Sequence, residues 1–260
     1  MEIKRFHIDL SLDKERFGFT LAEVLITLGI IGVVAAITIP NLMTHLRNKK
    51  LESQFKKTYA ELNIAARTFY AQEEASVHDA DVVLNSGTST DSTDVLRKFM
   101  SYYKSYTIPP YGRWKSFDNG KNIVQQNLGG VSVSNYPCDQ TPVALDMVGR
   151  LYALDDTSTY HTYNSPDYGP KICVDTNGID KPNKFGYDRF VFVFTANNAV
   201  VPYTGTSWNG LTNNKTDDTE IAKYCSYELG SDIPAFSCAH FALKNKSPDG
   251  NGTYWGNFLK

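Results

Sequence analysis

The chain has almost no surplus of charge: 26 Lys and Arg stand against 28 Asp and Glu in 260 residues. With the signs balanced, no general attraction to nucleic acid or to an anionic lipid surface is expected, and nucleic acid is not an expected partner. Closely paired cysteines are also lacking. The four present, Cys138, Cys173, Cys225 and Cys238, contain no CxxC pair of the kind that zinc clusters present. Their wide spacing and even number point instead to disulfides in an oxidising compartment. Three connectivities are open. Closing the short Cys225 to Cys238 loop takes the least chain entropy and leaves Cys138 with Cys173. There is no HExxH and no GxSxG, and the five histidines (His7, His45, His78, His161, His240) are scattered, one of them close to the N-terminus. An enzyme would need its catalytic groups assembled by the fold alone, so the chain reads as a non-enzyme with no catalytic residues.

Apolar residues are present at 42%, enough for a core, but long aliphatic runs occur once only. Phe19 to Ile39 reads FTLAEVLITLGIIGVVAAITI and carries a single charge. At about 1.5 Å per residue this run crosses a hydrocarbon layer of about 30 Å. A secretory signal has a shorter apolar region behind a basic start. Here the preceding segment is balanced, with Lys4, Arg5, Lys14 and Arg16 against Glu2, Asp9, Asp13 and Glu15. The one charge inside the run is Glu23. A carboxylate in a span is unfavourable unless it meets a cation, so it marks a function or a partner. No Lys or Arg lies within the run, but a cut between Gly18 and Phe19 would create an α-ammonium about one helical turn from Glu23.

The series Arg16-Phe17-Gly18-Phe19-Thr20-Leu21-Ala22-Glu23-Val24-Leu25, followed by an aliphatic helix, resembles the leader of type IV pilins and of the pseudopilins of type II secretion systems. The resemblance covers residues 16 to about 45, and Leu21, Ala22, Gly32 and Pro40 also fall where that family's pattern expects them. It implies a leader at residues 1–18, cleavage after Gly18 by a prepilin peptidase, and N-methylation of Phe19. It further implies that Glu23 neutralises the N-terminus of an adjacent subunit, and that the helix can loosen between Gly32 and Pro40. The partners implied are other pilin or pseudopilin subunits, the prepilin peptidase, the filament assembly machinery and membrane lipid. The implied location is the cytoplasmic membrane, crossed once with the C-terminal domain extracytoplasmic, followed by a filament in the periplasm or at the cell surface. Counting charges does not settle this orientation, because Arg47, Lys49, Lys50, Lys56 and Lys57 follow the span and outnumber the basic residues before it.

Beyond Pro40, Leu51, Phe55, Tyr59, Leu62, Ala66 and Phe69 recur at helical steps with charged residues between them. One helix therefore spans residues 19–75, its first half (19–39) in the membrane and its second half bearing an apolar stripe that needs a sheet. Residues 76–94 read as a surface connection. A short helix follows, with Thr93 or Asp94 as N-cap and Val95, Leu96, Phe99, Tyr102, Tyr103 and Tyr106 on its buried side. Strand signals appear at Val143 to Met147, Leu151 to Leu154, Lys171 to Val174, Arg189 to Phe194 and Ala199 to Tyr203. The expected fold is α+β, a long N-terminal helix on an antiparallel sheet of four or five strands, pilin-like, with residues 76–260 as an extracytoplasmic globular domain.

Between two of these strands, Asp175, Asn177, Asp180 and Asp188 concentrate hard oxygen donors in a segment that resembles the DxNG loops of some pilin-like proteins. They are candidate Ca²⁺ ligands. It is not an EF-hand, because Gly186 stands at the twelfth position where a bidentate Glu is required. The alternative is a turn in which Asx side chains bond their own backbone. Trp114, Trp208, Trp255 and the 16 tyrosines could build either an adhesive face or a core. The function expected is a structural subunit, a minor pilin or pseudopilin of a type IV pilus or a type II secretion filament. The alternative is a membrane-tethered adhesin or a DNA-uptake pilin. A DNA-uptake role finds little support in residues 81–260, which hold 16 basic and 18 acidic side chains.

Overall fold

A computed structural model describes residues 18–79, 92–103, 105–109, 125–133, 138, 143–155, 168–205, 214–231, 233 and 235–260. Helix α1 runs from Leu21 to Glu73 and continues through Pro40. The chain divides into two compact units between Thr44 and His45. Among the described residues of the first unit nothing covers the helix: Leu25, Ile26, Leu28, Ile30, Ile31 and Val33 are all exposed. In the second, Leu51, Phe55, Thr58, Leu62, Ala65, Ala66 and Phe69 of the same helix are buried. Their three- and four-residue steps gather them on one face, which is why the compact unit begins at His45, within the helix, rather than after it.

That face lies on a six-stranded antiparallel sheet in simple chain order, β1-β2-β3-β4-β5-β6. The strands are β1 (Tyr106–Thr107), β2 (Ala144–Asp146), β3 (Leu151–Leu154), β4 (Tyr168–Asp175), β5 (Arg189–Thr195) and β6 (Val200–Pro202). Alternation along β5 sends Phe190, Phe192 and Phe194 to one side, and these rings meet the helices. Phe55 lies 4.5 Å from Phe190 and 5.9 Å from Phe192, Tyr59 lies 5.6 Å from Phe192, and Phe99 lies 5.0 Å from Phe194. Phe99 belongs to α2 (Ser92–Ser101). Val191 and Val193, on the opposite side, are also buried. Helix α4 (Cys238–Lys244) packs against β5 and β6. Asn63 of α1 protects the open edge: its amide donates to the Val200 carbonyl (3.1 Å) and accepts from the Val200 N–H (3.0 Å). An edge strand so paired offers fewer free groups to another chain.

Several boundaries differ from the sequence expectation. The short helix starts at Ser92, so Thr93 and Asp94 fall in its first turn instead of capping it. Tyr106 leaves the helix and opens β1, pairing with Asp146, which makes the sheet six strands wide. The expected strand from Val143 to Met147 shortens to Ala144–Asp146, because Met147 and Val148 form the exposed turn into β3. The tail, expected to consist of turns around a cross-link, also carries α3 (Asp218–Ala222), α4 and a π-helical turn at Tyr254–Phe258. Residues 1–17 of the expected leader (1–18), most of the 76–94 connection, Trp114 and Trp208 lie outside the described residues.

Candidate assembly segment and the charged clusters

Gly18 and Phe19 precede α1 without regular structure, and the Phe19 side chain is exposed. Thr20 and Glu23 then start the helix as a reciprocal cap. The Thr20 N–H and hydroxyl both donate to Glu23 Oε2 (2.8 Å each), and the Glu23 N–H donates to Thr20 Oγ1 (3.2 Å). This is the capping box written by Thr-x-x-Glu, and it satisfies backbone donors that a helix start leaves unpaired. Sequence reasoning assigned Glu23 to a partner and missed the cap, although the spacing alone signals it. No ion pair reaches Glu23 among the described residues, and its carboxylate remains exposed. Gly32 has no neighbour within 4 Å of where a Cβ would stand, so a second helix can approach its backbone there.

The structure joins Cys138 to Cys173 of β4, and Cys225 to Cys238 at the start of α4. The Asx-rich segment is organised by internal partners. Asp175 is fully buried and pairs with the Arg189 guanidinium at 2.7 Å. Asp188 accepts from the backbone N–H groups of Asn183 (2.8 Å) and Lys184 (2.7 Å). Asn177 donates to the Lys181 carbonyl at 3.3 Å. Arg189 thus supplies the positive charge beside these carboxylates. No three His, Cys, Asp or Glu side chains converge as a metal site among the described residues. Asp175 and Asp188 are thus engaged by Arg189 and by backbone amides. Burial pushes the Asp188 carboxyl up to about 6, against the opposing pull of Arg189 and the two amides, and pushes Asp175 well above its ordinary range.

Residues 13–39 match the family model for the prokaryotic N-terminal methylation motif. The chain carries the prepilin signal of type IV pilins and pseudopilins. No curated protein and no solved structure matches it. The signal and the exposed apolar helix support a pilin-like or pseudopilin-like protein and fit membrane anchoring, processing by prepilin peptidase and assembly with other pilin subunits.

Elsewhere in this pilin-like protein a cavity of about 400 Å³ opens between α1 and the β2–β3 turn, lined among others by Glu61, Ile64, Tyr103, Met147 and Arg150. Arg150 is buried there and donates to Asp146 (2.6 Å), to the Thr58 hydroxyl (2.9 Å) and to Glu61. The Tyr152 hydroxyl donates to Asp146 and lies 3.0 Å from the Tyr103 hydroxyl. Burial pushes both tyrosines above their ordinary value, which keeps them neutral donors. The cluster ties helix to sheet. Trp255 belongs to the core rather than to a face, with its indole N–H on the Ala242 carbonyl (3.0 Å) and its ring 5.6 Å from Phe55.

Proposed function

We propose that the chain is a structural subunit, a minor pilin or pseudopilin, of a type IV pilus or type II secretion filament. Cleavage after Gly18 exposes Phe19 for N-methylation, and α1 holds the subunit in the cytoplasmic membrane, with the globular unit extracytoplasmic, until assembly. The observation that carries this reading is the methylation motif at residues 13–39, which runs into the first half of a helix whose second half lies on an antiparallel sheet. Two disulfides support the extracytoplasmic side. In the filament, Glu23 meets the methylated ammonium of a neighbouring subunit, an ion pair in a low-dielectric setting where each charge needs the other. The stretch from Gly32 to Pro40 is where the helix loosens as subunits pack, because Pro40 cannot donate a helical hydrogen bond.

The test is intact-mass and N-terminal peptide mass spectrometry of the protein from its native membrane, with and without the prepilin peptidase. A methylated Phe19 N-terminus that disappears without the peptidase is expected. An intact Met1, or a cut near Ile39, would remove the protein from the pilin pathway.

A further inference from the structure

The overall charge near zero hides a local concentration that only folding creates. At the start of the globular unit α1 presents Arg47, Lys49 and Lys50, all exposed. Two residues distant in sequence join them. Arg47 donates to the Lys260 main-chain oxygen (2.8 Å) and lies 5.8 Å from the Tyr187 ring centre, while Lys184 Nζ lies 5.6 Å from the same ring. Lys260 Nζ lies 4.9 Å from the ring of Tyr227, whose hydroxyl is 3.1 Å from that of Tyr187. Asn48 donates to the Leu259 carbonyl (3.1 Å), fixing the same segment to the helix.

These rings hold cations near one another without neutralising them. Among the described residues, no Asp or Glu side chain lies within ion-pair distance of Arg47, Lys50, Lys184 or Lys260. Glu52 engages Lys49 (3.5 Å) and Lys56 (2.7 Å), and Glu228 makes no ion pair there. The chain leaves the apolar run at Ile39 and reaches Arg47 about 12 Å of helix later, the depth of a headgroup layer beyond the hydrocarbon.

We propose that Arg47, Lys49, Lys50, Lys184 and Lys260, set around Tyr187 and Tyr227, form a docking surface for anionic phospholipid headgroups. It rests on the membrane-anchored reading above and deepens it. Basic side chains beside a span draw anionic lipid, and tyrosines favour the interfacial depth. The surface would hold the globular unit against the bilayer and release it when the subunit leaves for the filament.

The experiment uses the full chain in vesicles of neutral phosphatidylcholine, with and without phosphatidylglycerol. Flotation reports anchoring, and the association of spin-labelled phosphatidylglycerol relative to phosphatidylcholine reports headgroup preference. Expected are flotation with both vesicles and a severalfold anionic preference. That preference should weaken in high salt and drop by up to about fivefold for each of Lys184→Gln and Lys260→Gln, with near-ultraviolet circular dichroism unchanged. Flotation without preference, or a preference indifferent to both substitutions, overturns the proposal and leaves the anchor standing. Flotation with anionic vesicles alone supports the surface and removes the anchor. Failure to float with either overturns both.

Discussion

Truncating Phe55 to alanine removes the ring through which α1 grips the sheet. Phe55 is fully buried and lies within 6 Å of three rings, Phe190 and Phe192 of β5 and Trp255 of the C-terminal turn. Burial of a phenylalanine at such a site is worth about 3–5 kcal/mol on truncation, and aromatic contacts place Phe55→Ala in the upper half of that range. For a unit of this size each kcal/mol moves the melting temperature by about 2–4 °C, so a fall of about 8–20 °C is expected. The matched control is Ile64→Ala on the same helix, 63% exposed, which should change stability by no more than about 0.5 kcal/mol. Both variants are to be unfolded with urea as the full chain in detergent, following near-ultraviolet circular dichroism, with the slope m checked for constancy. A loss below about 1 kcal/mol for Phe55→Ala, or an equal loss for Ile64→Ala, would refute the packing of this face on the sheet.

Two further outcomes follow from the charged groups. Asp188 sits in the folded protein at about 6 against an ordinary 3.8. Its contribution is therefore fully present below the unfolded value and is lost as pH rises through the folded one, on the order of 2–3 kcal/mol. Asp188→Asn should flatten urea stability between about pH 4 and 6 relative to the parent, and an unchanged slope would count against the raised carboxyl. Glu23→Gln keeps an oxygen for the Thr20 N–H and so keeps the capping box. Processing should be normal while filament yield, measured by immunoblot of sheared material, falls; a normal yield would leave Glu23 with the cap alone.

The sequence by itself determined what depends on neighbours along the chain. The apolar run, the Gly18-Phe19 series, the helical stripe from Leu51 to Phe69 and the alternation of Arg189 to Phe194 are local patterns of period 3.6 or 2, legible without coordinates. The Thr20 to Glu23 cap was equally legible. What only the tertiary structure decided are the pairings between residues far apart in the chain. Arg189 beside Asp175, Arg150 reaching Thr58 and Glu61, Asn63 closing the β6 edge, and Lys184 and Lys260 brought to Arg47 leave no periodic trace. A charge takes its role from what surrounds it once water is removed. The oxygen-rich Asp175 to Asp188 segment is legible as composition. The Arg189 guanidinium beside Asp175 is not, because strand register brings it there.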